Sequence, residues 1–202
     1  MKKVAVIGGT GFLGIEVCKA ALEEGFRVVS ISRTGQPTNQ TNDFTQAMPI
    51  DFLALDIFQA ERLKETISTC DVVIDLVGIL FEKKSQNLTY QKMIVESAQI
   101  ISNAAQQTNI SVVIFVSAAI GIPLIGKKYL LAKREAEHLF KGKSFEGKII
   151  RPPLLYGKSK QSSLYLAYLL KVGMYLPFLK NILRPYQAEA VEEVAKKIVA
   201  LC

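Results

Sequence analysis

Apolar runs rich in β-branched residues recur along the chain, and segments with helical periodicity lie between them. Most of these runs lack alternation with polar residues, which is typical of strands covered on both faces in a parallel sheet. The pattern predicts strands at 3–8, 27–32, 50–56, 71–77, 111–117 and 147–151, and helices at 12–24, 59–68, 88–107, 127–141 and 187–201. Because strands and helices alternate, we predict an α/β fold with a doubly wound, Rossmann-like parallel sheet.

Two segments interrupt the alternation of predicted strands and helices. Residues 34–49 are polar and contain two prolines, so they predict a loop where a regular repeat would place a helix. Residues 162–183 are apolar and aromatic, but lysines, a glycine and a proline interrupt them too often for a membrane-spanning helix. They could cap a hydrophobic substrate, dock on a protein complex, lie on a membrane surface or cover the domain's own core. We divide the chain into a domain at 1–157 and a very short C-terminal lobe at 158–202, packed on the same domain.

Composition narrows the class of protein. Half of the 202 residues are apolar, 21% are charged and the net charge is +7, which favours a globular domain with an anionic ligand or surface. No basic block with interleaved aromatics is present, so we expect no nucleic-acid binding. Cys18, Cys70 and Cys202 are too widely spaced for a disulfide framework or a metal site, which favours a reducing compartment. The single histidine, His138, is expected on a helix surface, and we expect no signal or transit peptide before the first strand.

The segment between the first predicted strand and the first helix reads GGTGFLG at residues 8–14. It satisfies G-x-G-x-x-G from Gly9 and G-x-x-G-x-x-G from Gly8, and a glycine turn that leads into a helix N-terminus is typical of a dinucleotide site. A chance glycine-rich turn is the alternative, which this position between strand and helix disfavours. The predicted cofactor contacts in this turn are Gly8, Thr10, Gly11, Phe12, Leu13 and Gly14.

The end of the second predicted strand distinguishes the two nicotinamide cofactors. NAD sites usually carry an acidic residue there, whereas this strand ends in Ser32 and Arg33. Because an arginine pairs with a 2′-phosphate, we predict NADP(H) rather than NAD(H). The alternative is that Arg33 is an ordinary exposed loop residue. Asp56, after the third strand, could face the adenine or could simply cap the next helix.

Tyr129 and Lys133 are four residues apart in a predicted helix, and Ser117 ends the strand before it. With the glycine turn and the segment RPPLLYG at 151–157, this pattern resembles the atypical, or extended, branch of the short-chain dehydrogenase/reductase superfamily over residues 3–157. The resemblance implies that Tyr129 is a general acid/base and that Lys133 favours its phenolate and binds the nicotinamide ribose. It further implies that Ser117 holds the reacting oxygen. The remaining cofactor contacts that the resemblance implies are Val77, Gly78, Arg151 and Pro152.

Within this branch, the segments 71–78, 115–117 and 129–137 resemble the NADPH-binding accessory subunit of mitochondrial complex I and related ubiquinone-biosynthesis proteins. Two functions remain open: an NADP(H)-dependent oxidoreductase or epimerase with a hydrophobic or quinone-like substrate, or a non-catalytic NADPH-binding component of a respiratory-chain or ubiquinone-synthesis complex. The serine, tyrosine and lysine favour the first function. The short C-terminal lobe favours the second. The expected compartment is the cytoplasm for a bacterial protein and, by resemblance, the mitochondrial matrix side for a eukaryotic one.

Overall fold

The computed structural model describes residues 1–37, 48–119, 126–157 and 188–202. Six strands form one sheet in the order β3-β2-β1-β4-β5-β6, and every neighbouring pair is parallel. The strands are β1 (Lys3–Ile7), β2 (Arg27–Ser32), β3 (Ile50–Ala54), β4 (Val72–Asp75), β5 (Val112–Val116) and β6 (Glu146–Ile150). The predicted doubly wound sheet is confirmed, and its order reverses between β1 and β4, where such sheets open a ligand crevice.

The helices lie where the periodicity predicts them, with changes at their ends. They are α1 (Phe12–Glu23), α2 (Ala60–Ile67), α3 (Ser97–Gln106), α4 (Gly126–His138) and α5 (Val191–Val199). The predicted helix at 88–107 begins as a π-helical turn, Gln91–Glu96, and continues as α3. A short 3₁₀ helix, Lys84–Gln86, precedes it and was not predicted.

Two short strands form a second, two-stranded sheet. Strand β7 (Leu154–Tyr156) pairs in parallel with β8 (Ala188–Ala190). The predicted start of the last helix at residue 187 is therefore wrong, because residues 188–190 are extended and α5 begins only at Val191. Helix α5 packs against α1.

The two faces of the sheet carry separate apolar cores because side chains alternate along each strand. Ala5 and Ile7 of β1 point into the core beneath α2, α3 and α4. Val4 and Val6 point into the other core, which α1 and α5 cover. The strands β1, β4 and β5 are buried on both faces, which explains why their sequences show no alternation.

Several expectations fall partly outside the residues that the structure describes. Of the loop predicted at 34–49, the described ends are non-helical, and the rest lies outside the described ranges, as does the segment 162–183. The division at residue 157 stays a prediction. In the described parts of the chain, no helix has the length and apolarity needed to cross a membrane. The three cysteines are free thiols, and His138 is exposed at the end of α4, as predicted.

Candidate cofactor and active site

The glycine turn after β1 is built by close backbone contacts. Gly8 has a φ of +85°, its N–H donates to the Ile31 carbonyl at 2.8 Å, and its own carbonyl accepts from Gly11 N at 3.0 Å. A Cβ on Gly14 would lie 2.2 Å from the Gly8 oxygen, and one on Gly9 would lie 2.4 Å from Ser30 Oγ. Residue 8 needs glycine for its conformation and residues 9 and 14 for their space, so both overlapping spacings describe real constraints.

The first turn of α1 faces this glycine turn. Gly11 is the N-cap, with extended backbone and no side-chain cap, and its carbonyl accepts the Ile15 N–H at 3.1 Å. The positive end of the helix dipole and the first-turn amides therefore lie beside the turn, which suits the pyrophosphate of a dinucleotide. Phe12 and Leu13 belong to this turn: the Phe12 ring lies near Gly157, and Leu13 packs on the core beneath α1.

A cleft of about 430 Å³ opens at the carboxyl ends of β1 to β4. Its volume lies within the range of ordinary small-molecule sites. The predicted residues that line it are Gly8, Thr10, Gly11, Ser32, Arg33, Asp56, Val77 and Gly78. The sequence therefore identified the floor and one wall of the cleft, and their glycine turn, basic residue and small residues fit a phosphorylated dinucleotide.

The opposite wall was not predicted from the sequence. It comes from the segment around the 3₁₀ helix and the π-helical turn, and its residues are Gln86, Asn87, Leu88, Lys92 and Met93. Asn87 has a φ of 55°, a left-handed conformation that asparagine adopts more readily than most residues. An asparagine between two predicted elements was thus a usable turn signal, but it does not reveal which surface the turn will cover.

Asp56 and Arg33 both reach the cleft. Asp56 Oδ1 accepts the N–H of Phe58 at 3.1 Å, so it stabilises the bend before α2, whose N-cap is Gln59. Arg33 is exposed at the end of β2. The Lys92 ammonium lies 5.1 Å from the centre of the Phe58 ring. The residues that line the cleft thus include two cations, Arg33 and Lys92, and one carboxylate, a balance that favours an anionic ligand.

Lys133 connects α4 to the sheet beneath the cleft. It is 4% exposed, and its Nζ donates to Val116 O at 2.8 Å and to Val77 O at 3.4 Å. The same nitrogen lies 4.7 Å from the centre of the Phe115 ring. Burial lowers the pKa of Lys133 to about 8. The predicted Tyr-x-x-x-Lys helix is thus contiguous with the cleft through Val77.

Tyr129, one turn earlier on α4, is partly buried, and its ring meets Tyr90 edge-on with 5.7 Å between the ring centres. Burial and Tyr90 raise the pKa of Tyr129, whereas Arg134 is the cation that opposes this rise. The Lys133 ammonium is directed to main-chain carbonyls, and the expectation that it favours the Tyr129 phenolate stays a prediction. Tyr129 is a phenol at neutral pH and can donate a proton.

Ser117 lies at the end of β5 inside a charged network. Its Oγ accepts from Arg134 Nη1 at 3.0 Å, and Ser117 is one of the groups that lower the pKa of Glu137. Glu137 is 3% exposed, and it also accepts from Arg134 at 2.6 Å and from two nitrogens of Arg151 at 2.9 and 2.6 Å. These bonds, with Arg151 foremost, hold the pKa of Glu137 at about 2. Ser117 is therefore held by Arg134, which is also a partner of Glu137.

The other predicted cofactor contacts do not line the cleft: Phe12, Leu13, Gly14, Lys133, Arg151 and Pro152. Arg151 pairs with Glu137 and does not line the cavity, because the carboxylate takes two of its guanidinium nitrogens. Pro152 is buried, and its carbonyl accepts the Ala119 N–H at 2.9 Å. The segment after β6 therefore fixes the loop after Ser117 in this structure.

Comparison with known proteins agrees with this geometry. The model of the NAD(P)H-binding family matches residues 8–168. "MIOREX complex component 2" of Saccharomyces cerevisiae is 27% identical, over 79% of this chain and 75% of its own length. "Ceramide reductase" of Caulobacter vibrioides is 24% identical, over 98% of this chain but only 60% of its own length.

Among solved structures, a UDP-glucuronic acid 4-epimerase from Bacillus cereus, in complex with UDP-glucuronic acid and NAD, is similar with a TM-score of 0.71 at 19% identity. That similarity covers 98% of this chain and 72% of the epimerase, and it concerns the fold. The family match, the parallel sheet and the glycine-lined cleft agree with one another. The chain belongs to the NAD(P)H-binding family and has the fold of the extended short-chain dehydrogenases/reductases.

Proposed function

We propose that this protein binds NADP(H) in preference to NAD(H) and serves as an oxidoreductase or epimerase for a hydrophobic or quinone-like substrate. The observation that carries the proposal is the contact between Lys133 and the cleft wall. Its ammonium reaches the Val77 carbonyl at 3.4 Å, and a Cβ on Gly78 would lie 3.4 Å from the same nitrogen. Lys133 thus lies beside the cavity that the glycine turn opens, and Tyr129 is one turn earlier on the same helix.

The preference for NADP(H) rests on charge at the end of β2. Arg33 lines the cleft there, between Ser32 and Thr34, and none of these three side chains is acidic. A guanidinium can make forked, charge-assisted hydrogen bonds to a 2′-phosphate, whereas a carboxylate would repel it. Lys92 adds a second cation to the lining of the cleft.

The proposed reduction needs a proton donor for the substrate oxygen, and a side chain of this protein would supply it. The nicotinamide, when bound, supplies or accepts a hydride. Tyr129 is a phenol at neutral pH, so it is suited to donate a proton to a substrate oxygen as a carbonyl is reduced. Lys133 would hold the cofactor ribose from the Val77 side. Ser117 would hold the reacting oxygen of the substrate while its Oγ accepts from Arg134.

Cofactor preference can be tested with Arg33→Ala. Hydrogen bonds to charged groups contribute about 1.5–3 kcal/mol, so we expect a roughly tenfold to hundredfold loss of NADPH affinity and little change for NADH. Fluorescence titration of both cofactors measures this. Arg27→Ala is the matched control, because Arg27 is exposed at the opposite end of β2. A wild-type affinity for NADH equal to that for NADPH would refute the preference.

Catalysis can be tested with Tyr129→Phe. We expect a loss of turnover of about 10²–10⁴-fold, because the lost hydroxyl donates the proton to the substrate oxygen. The affinity for NADPH should be nearly unchanged. NADPH oxidation with a panel of carbonyl and quinone substrates is the assay. Turnover that survives the substitution would remove Tyr129 from this role.

A second function is a non-catalytic, NADPH-binding component of a respiratory-chain or ubiquinone-synthesis complex. The observation that favours it is the hydrogen bond from Arg134 to Ser117 Oγ, which ties this side chain into the network of Arg134, Glu137 and Arg151. The yeast relative is also described as a component of a complex. Purification of the native protein under mild conditions distinguishes the functions. A stable complex, with no NADPH oxidation by any substrate of the panel, would favour the second.

A further inference from the structure

Asp75 is a buried acid that the proposed chemistry leaves unused. It ends β4, it is 0% exposed, and its Oδ1 accepts the N–H of Val77 at 2.9 Å. Its other oxygen, Oδ2, is also buried and has no hydrogen-bond partner within the described parts of the chain. A buried carboxylate oxygen without a partner is costly, so a compensating charge is expected nearby.

Lys133 supplies this positive charge, because it contacts Val77 on the side away from Asp75. Val77 donates its N–H to Asp75 and accepts at its carbonyl from Lys133, so the two charged groups flank one residue of the cleft wall. The surroundings of Lys133 include Glu137, Arg134 and Tyr129 from α4, with Tyr90 against the Tyr129 ring and the apolar Phe115 ring from β5. Asp75 is the charged group that β4 contributes.

The two groups keep each other ionised over a narrow pH range. Burial raises the pKa of Asp75 to about 6, although the Lys133 charge opposes the rise. Burial lowers the pKa of Lys133 to about 8, although Asp75 and Glu137 oppose the fall. Both groups are therefore charged mainly between about pH 6 and pH 8. Without the Asp75 charge, burial would bring the pKa of Lys133 lower still.

We propose that Asp75 is a positioning residue of the cofactor site, which keeps the Lys133 ammonium charged and directed at the Val77 carbonyl on the cleft wall. This inference rests on the proposed function in assigning Lys133 a contact with the cofactor. It adds that this contact depends on a second residue, which does not itself line the cleft. NADPH binding then weakens as Lys133 loses its proton, and Asp75 sets the pH at which this happens.

The test is Asp75→Asn, which removes the charge and nearly keeps the shape. Carbon-13 NMR of labelled lysine in the full chain, with the Lys133 signal assigned by Lys133→Arg, measures the pKa directly. We expect the pKa of Lys133 to fall by about 1–2 units. The alkaline midpoint of NADPH binding should fall with it. The loss of affinity should then be roughly tenfold at pH 8 and within about threefold at pH 6.5.

Asp51→Asn is the matched control, because Asp51 is exposed on β3 and should leave both measurements unchanged. If Asp75→Asn does not fold, Lys133→Met tests the same coupling, since the pKa of Asp75 should then rise above about 6 by carbon-13 NMR of labelled aspartate. An unmoved partner pKa in the variant that folds overturns the inference. A shifted pKa, with NADPH binding insensitive to pH and to Lys133→Met, overturns the cofactor contact assigned to Lys133 and the inference with it.

Discussion

Replacing Glu137 by glutamine removes the one buried anion of the network around Ser117. The side chain of Glu137 is 4% exposed, whereas those of its partners Arg134 and Arg151 are 35% and 52% exposed. Glutamine keeps the size of the side chain and one acceptor oxygen, but it loses the charge and the two-oxygen pairing with the arginines. The arginines can hydrate once the carboxylate is gone, so the loss measures the carboxylate's own contribution.

The magnitude follows from the pKa. The pKa of Glu137 is about 2 in the fold, against an ordinary value of 4.5 for a glutamate. Because the folded pKa is depressed, the stabilisation is fully present above pH 4.5 and is lost as the pH falls through about 2. A depression of this size corresponds to about 3 kcal/mol, which the solvent around the arginines reduces to about 2–3 kcal/mol.

Urea denaturation of wild type and Glu137→Gln between pH 2 and pH 7 is the assay. We expect the variant to be less stable by about 2–3 kcal/mol at pH 6 and nearly equal to wild type at pH 2. Glu135→Gln, exposed on the same helix, should change stability by less than about 0.5 kcal/mol throughout. A difference for Glu137→Gln that is the same at pH 2 as at pH 6 would refute the electrostatic reasoning and leave only packing.

Two further predictions follow from packing. Gly14→Ala should destabilise the fold by about 1–3 kcal/mol and weaken NADPH binding at least about tenfold, because the new Cβ would clash with the Gly8 carbonyl oxygen. The gain in helix propensity, about 1 kcal/mol, cannot offset this clash. Unchanged values of Tm and of the Kd for NADPH would contradict the prediction. Leu63→Ala, at a fully buried site of α2, should cost about 2–5 kcal/mol in urea denaturation. Leu131→Ala, 67% exposed on α4, should cost under about 0.5 kcal/mol, and equal losses at both sites would contradict the assigned cores.

Part of the cleft could be predicted because its residues are local to strand ends. The glycine turn follows β1, Ser32 and Arg33 end β2, and Val77 and Gly78 follow β4. In a parallel sheet the carboxyl ends of neighbouring strands lie at one edge, so the order of apolar runs is enough to bring these residues together.

The sequence did not predict the lining segment that carries Lys92 or the pair of strands β7 and β8, because neither has such a local signal. The segment that carries Lys92 enters its helix through a 3₁₀ turn, a left-handed asparagine and a π-helical turn, which have no common periodicity. Strands β7 and β8 have three residues each and lie far apart in the sequence, so neither is recognisable alone. Their pairing depends on where β6 and α5 are already placed.

The sequence by itself determined the doubly wound sheet, the glycine turn and the residues at the strand ends, because each follows from spacing along the chain and from backbone sterics. It also placed Tyr129 and Lys133 on one helix. Only the tertiary structure decided which charged groups interact. Lys133 and Asp75 lie on either side of Val77, and Arg151 pairs with Glu137 beside Ser117. Those pairings set the pKa values of the site, and they depend on burial and on contacts between distant elements, which spacing along the chain does not encode.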